Sequence, residues 1–168
     1  MALTLAAPPG SSVTDALLNA LAPLGARYEQ RSSQSVSSVT DTKLKFETAV
    51  HTNTDVIASG TGNTDFALQR AGFWLINCGV RYLGNAGGGE RHIFPQTGSA
   101  FAVANRVAGL TAVNVAALPC TVSTSTVVKI AVVTTVIIGT WQNAGVALST
   151  DVAFGGSNFV NFTWLGPA

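Results

Sequence analysis

Charge is what this sequence has least of. Of its 168 residues, 9 are Lys or Arg and 8 are Asp or Glu, so 10% are charged, against about 25% in a typical soluble domain. The formal net charge is +1, which leaves neither a basic field for nucleic acid nor an acidic tail. Long apolar runs are missing too. The longest, Ile130 to Ile138 (IAVVTTVII), falls far short of the roughly 20 residues of a spanning helix. Its β-branched side chains favour strands, so no membrane partner is expected. The opening MALTLAAPPG lacks the basic start and long apolar stretch of a secretory signal, and the chain reads as soluble and not exported by a cleaved signal. Cysteine is scarce. Cys78 and Cys120 lie in β-like stretches and read as two buried thiols of a reducing compartment, with no sequence support for a disulfide.

Catalytic patterns are equally thin. His51 and His92 are far apart, and Asp41, Asp55, Asp65 and Asp151 are scattered, with no Asp-x-Asp run to hold calcium. The Gly-x-Gly of SGTGNTDF does not join a strand to a helix, and there is no Gly-x-Ser-x-Gly elbow. Asn161-Phe162-Thr163 spells a glycosylation acceptor by chance. Arg70, Arg81, Arg91 and Arg106 are isolated and suit rim salt bridges. The expectation is no enzyme, no metal and no cofactor.

What is present divides at about residue 25. Residues 1–25 form an apolar arm, ended by Pro8, Pro9 and Gly10, and then a short helix from Ser11 with Val13, Leu17, Leu18 and Leu21 at helical spacing. Pro23 and Gly25 stop it. A helix of about ten residues is marginal alone in water, so it needs something to pack on, either its own domain or a partner. Residues 26–168 carry about nine or ten short strands broken by Gly, Asn, Ser or Pro, an antiparallel sandwich or jelly roll. TKLKFETAV alternates, with Leu44 and Phe46 opposite Lys43, Lys45 and Glu47, and GNAGGGE reads as a hairpin turn.

Several strands are apolar on both sides. In AGFWLINCGVRY, Trp74, Ile76, Cys78 and Val80 oppose Phe73, Leu75 and Asn77; in TVIIGTWQ, Val136 and Ile138 oppose Ile137 and Trp141; in FVNFTWL, Val160, Phe162 and Trp164 oppose Phe159 and Leu165. Antiparallel sheets usually keep one face wet. A second copy or another protein is expected to cover the other face. Trp74, Trp141 and Trp164 read as core residues before they read as a sugar platform.

AGFWLINCGVRY, the run VVKIAVVTTVIIGTWQNAGVALST, TDTKLKFETAV as an opening strand and FVNFTWLG as a closing one together resemble the C1q/TNF-like jelly roll over about residues 36–166. The Gly-Asp turn that members carry before the penultimate strands is absent; Ile130-Ala131-Val132-Val133-Thr134 stands there. The resemblance implies a homotrimer with inner sheets meeting on a threefold axis. Phe73, Leu75, Asn77, Phe159, Asn161 and Thr163 would face the partner subunits. With no collagen-like stalk and a short N-terminal appendage, the chain looks like the compact forms in phage virions. The expected function is a virion protein decorating a phage head, assembled in the host cytoplasm and docked on the major capsid protein or another virion protein through Leu3, Leu5, Val13, Leu17, Leu18 and Leu21. The alternative is a tail-tip or fibre module that binds a host-surface glycan through loops such as GTGNTD and GNAGGGE.

Overall fold

The computed structural model describes residues 25–114 and 117–168. The predicted arm and helix, and with them Leu3, Leu5, Val13, Leu17, Leu18 and Leu21, lie outside the described residues. Within them the chain forms thirteen strands and one short 3-10 turn. In chain order the strands are β1 (Gly25–Glu29), β2 (Ser35–Val36), β3 (Thr42–Lys43), β4 (Thr48–His51), β5 (Val56–Ser59), β6 (Asp65–Leu68) and β7 (Gly72–Tyr82). β8 (Gly89–Thr97), β9 (Leu110–Asn114), β10 (Cys120–Ile130), β11 (Thr134–Gln142), β12 (Leu148–Ser149) and β13 (Phe159–Gly166) follow, with the 3-10 turn at Val103–Asn105.

Two antiparallel sheets face one another. The first has the order β10-β7-β13-β1-β4 and the second β5-β6-β11-β8-β9, with β3 extending the second along β11. A two-stranded ribbon, β2 with β12, closes one side. This is the antiparallel jelly roll expected from the sequence.

The core lies where the two sheets' inward side chains meet. From β7, Trp74, Ile76, Cys78 and Val80 are fully buried, as are Val160 of β13 and Val136 and Ile138 of β11. Phe66 of β6 joins the layers: its ring centroid lies 5.0 Å from those of Tyr28 and Phe162 and 6.1 Å from that of Phe46. Aromatic pairs at such distances and tilts contribute about 0.5–1.5 kcal/mol beyond their burial.

Three local readings are corrected by the pairing. TKLKFETAV is not one strand. Leu44 and Phe46 are buried as their alternation requires, but β3 joins β11 while β4 joins β1, so this segment crosses between the sheets. The strand that opens the jelly roll beside β13 is therefore β1, in the stretch whose polar Ser-rich continuation disguised it. GNAGGGE is not a hairpin turn, because β7 and β8 belong to different sheets.

The two-sided apolarity has two different answers. Ile137 on β11 is fully buried although it points away from the core side, where Val136 and Ile138 lie. Residues 98–109 fold back over that outer surface. Phe101 packs 6.1 Å from Phe94 in a T-shaped pair, Val107 donates its N–H to the Pro95 carbonyl at 3.1 Å, and Arg106 bridges to Gln96. The chain itself covers the outer side of β11 at Ile137, so no second copy or other protein is needed there, while Trp141 farther along the strand stays half-buried. On the first sheet no described segment plays that part, and Phe73 remains 39% exposed.

Candidate functional site

The open face of the first sheet is built by register. Leu75 stands between Val127 of β10 and Thr163 of β13; Asn77 stands between Ser125 and Asn161; Phe159 stands beside Gly79. Residues directly opposite across strands share a face, so Leu75, Asn77, Phe159, Asn161 and Thr163 lie on one surface, with Phe73 at its end. Their alternate neighbours Trp74, Ile76, Cys78, Val160 and Phe162 fill the core. Trp164 is only partly buried: its indole N–H donates to the Ala71 carbonyl at 3.1 Å, and the Arg70 guanidinium lies 3.7 Å over its ring.

This face is graded. At one end Phe73, Val127 at 53% exposed and Leu165 at 54% make an apolar band, edged by the exposed Lys129 opposite Phe73. In the middle sit Asn77, Ser125 and Asn161, and a depression of about 180 Å³ lies between Leu75, Asn77, Asn161, Thr163 and His51. At the other end two guanidinium groups share one carboxylate. Arg27 donates to the Asn161 amide oxygen at 3.2 Å, pairs with Glu29 at 3.0 Å and stacks 4.8 Å from the Phe159 ring, while Arg31 reaches Glu29 at 2.7 Å. Phe159 lies across Gly79, where an added Cβ would come within 2.9 Å of the ring. The sequence reading missed β10 and Arg27. The available signal was the alternation of Thr121, Ser123 and Ser125 with Val122, an outward side that is polar yet uncharged and exposed in the fold.

A second surface lies on the outside of the other sheet. Val39, Asp41, Glu90, His92, Arg106 and Trp141 line a cleft of about 350 Å³. Here Trp141 is half-buried at the surface, not in the core as expected. His92 packs against it edge to face at 4.8 Å. The β8–β9 pairing sets His92 opposite Thr111; the Thr111 hydroxyl lies 2.8 Å from Nδ1 and a Glu90 carboxylate oxygen 3.5 Å from Nε2. That order of hydroxyl, imidazole and carboxylate fixes the ring. The Glu90 contact is too long for a strong hydrogen bond.

Elsewhere the polar side chains are committed to structure. The four aspartates once weighed for calcium each hold a base: Asp41 with Arg106 at 2.7 Å, Asp55 with Arg70 at 3.5 Å, Asp65 with Lys43 at 2.8 Å and Asp151 with Arg81 at 2.8 Å. Among the described residues no group of three or more His, Cys, Asp or Glu is placed to bind a metal. Asn63 of GTGNTDF donates its amide to the Phe46 carbonyl at 3.0 Å, tying that turn to its own core. Arg91 is not at a rim. It is fully buried and donates to the Glu90 and Gly88 carbonyls at 2.9 and 3.0 Å, bracing the glycine-rich connection. Tyr82, bonded to Thr140, has its phenol pushed up to about 12 by burial, against the opposing pull of that bond and of Arg91. Both cysteines are free. Burial raises the Cys78 thiol to about 12 and also raises Cys120, which Arg91 partly offsets. Neither is a ready thiolate near neutral pH.

No family model and no curated protein sequence matches the chain. Solved structures do. The crystal structure of murine APRIL at pH 5.0 is similar with a TM-score of 0.62 at 9% identity, over 84% of this chain and 98% of that one. Eiger TNF from S. frugiperda gives 0.61 at 11%, over 87% and 95%, and the globular domain of zebrafish complement 1qA protein gives 0.59 at 13%, over 87% and 99%. At such identities the likeness is one of architecture, and on that ground the chain has a TNF/C1q-like jelly-roll fold.

Proposed function

We propose that this chain is a homotrimeric structural protein of a virion, decorating a phage head, with the open face of the first sheet as its self-contact and residues 1–25 as its attachment to the major capsid protein. The observation that carries the self-contact is a sheet face that no described residues cover, where an apolar band of Phe73, Val127 and Leu165 adjoins Leu75. Burying such surface contributes roughly 25 cal/mol per Å². The resemblance to C1q/TNF-like domains supports a threefold arrangement, and the low charge supports a chain made to associate. The apolar arm and marginal helix expected from the sequence of residues 1–25 support attachment. Strand β1 begins at Gly25, so the attachment is tested by removing residues 1–24. The truncated chain is expected to remain a soluble trimer and to be lost from particles; normal incorporation contradicts the docking role.

A second reading, recognition of a host-surface glycan by a tail-tip or fibre module, is supported by the cleft beside Trp141 rather than by the glycine-rich turns. Locating the protein on shell or tail by antibody labelling of particles separates the two.

A further inference from the structure

We propose that the cleft lined by Val39, Asp41, Glu90, His92, Arg106 and Trp141 binds a neutral pyranose sugar, with the Trp141 ring against the sugar's C–H face and the charged side chains on its hydroxyls. This rests on the recognition reading and gives it a place. The site itself lies within one chain, and a trimer would only multiply it.

The first argument is charge. Two carboxylates and one guanidinium converge on the cleft. An anion meets Asp41 and Glu90, and a cation meets Arg106. A hydroxyl both donates and accepts, so a polyol satisfies carboxylates and guanidinium together without carrying charge of its own. Spare bonding capacity lies on the carboxylates: Asp41 takes Arg106 Nη2 at 2.7 Å and Glu90 makes only long contacts of 3.5 Å, so both keep lone pairs free for hydroxyls.

The second argument is rigidity. Affinity for a small polar ligand depends on side chains that need no ordering when it arrives. Arg106 stacks 3.8 Å over the Phe94 ring. His92 is held edge to face on Trp141 and from Thr111. On the rim, Val39 adopts φ +51° with its N–H donating to the Gln142 carbonyl at 2.7 Å. A β-branched residue in the left-handed region is an outlier, and such strain concentrates at ligand sites. A volume of about 350 Å³ is at the small end of ligand pockets.

The third argument is position. The cleft opens on the outside of the second sheet, away from the face assigned to self-contact. Three copies in a trimer present three sites outward, and multivalency raises a weak affinity for a glycan-coated surface without new contacts.

The test is titration of the full-length chain with glucose, galactose, mannose and N-acetylglucosamine, followed by the tryptophan indole resonances and by calorimetry, together with a glycan array. At least one neutral sugar is expected to bind with a dissociation constant on the order of millimolar. Trp141→Ala should weaken it by about tenfold or more, and Glu90→Gln, at a half-exposed position, by a smaller factor, with β-sheet circular dichroism unchanged. If Trp141→Ala fails to fold, Glu90→Gln carries the comparison. No response to any of the four sugars, or stronger responses to phosphate or choline, overturns the proposal. Array binding undiminished in both variants overturns this site while leaving glycan recognition standing; no array binding by the unmodified chain removes both.

Discussion

Val39 is a side chain in a conformation that most residues avoid. It is 69% exposed, so it gains little from burial, and its φ of +51° costs roughly 1–2 kcal/mol for an L-residue with a Cβ. Asn tolerates that region better. Val39→Asn is expected to raise stability by about 1 kcal/mol, read as a shift of the denaturation midpoint; an unchanged or lower midpoint shows the backbone there is not strained. Cys78 makes the opposite point, since its environment favours a neutral group. Its folded value is about 12 against an ordinary 9.0, so the folded state holds the proton more tightly. The stability this contributes is complete below about pH 9 and is lost as pH rises toward 12; Tyr82, raised from 10.0 to about 12, adds loss in the upper part of that window. Thiol labelling at pH 8 should modify Cys120 and leave Cys78 untouched until the chain is unfolded. Rapid native labelling of Cys78 contradicts its burial.

Among the elements, β7 and β11 present the same pattern in sequence and meet different fates. Both are apolar on alternate faces. β7 lies in a sheet that no described segment covers, while β11 lies beneath residues 98–109. Periodicity identified both strands, because alternation follows from the pleat alone; the inward face of β7 came from the resemblance, and Trp141, read as core, lies on the outward face of β11. Which outward face is covered depends on where a loop lands, and HIFPQTGSAFAVANRV carries no local sign that Phe101 and Arg106 return to Phe94. For the same reason the cleft was illegible: Asp41, His92, Arg106 and Trp141 are brought together by the residue before β3, by β8, by the folded-back loop and by β11. The crossover in TKLKFETAV was hidden because Leu44 and Phe46 point inward whichever sheet receives the chain. The close fit of loop to strand is testable at Gly139. A Cβ there would collide with the Phe94 ring and come 2.9 Å from that of Phe101. Gly139→Ala should therefore cost about 1–3 kcal/mol, as overpacked cores do, with the loss read as a lower melting midpoint. A neutral substitution means the loop yields, and with it the rigidity claimed for Arg106.

Taken as a whole molecule, the protein is a two-layer sandwich with one outer surface partly roofed by its own residues 98–109 and one that no described residues cover. The open one combines exposed Phe73, Val127 and Leu165 with polar but uncharged Asn77, Ser125 and Asn161; Arg27 and Arg31 share Glu29 at one end, and the exposed Lys129 stands opposite Phe73 at the other. A surface meant for water alone rarely keeps an apolar band of this kind. Self-association through this face is the account's central claim, and the mass in solution tests it most directly. Sedimentation equilibrium of the full-length chain at micromolar concentration should give three times the 17.2 kDa chain, and Leu75→Arg, which sets a charge in the middle of the face, should give a folded monomer. A single chain of 17.2 kDa persisting at high concentration, or a trimer indifferent to Leu75→Arg, contradicts it.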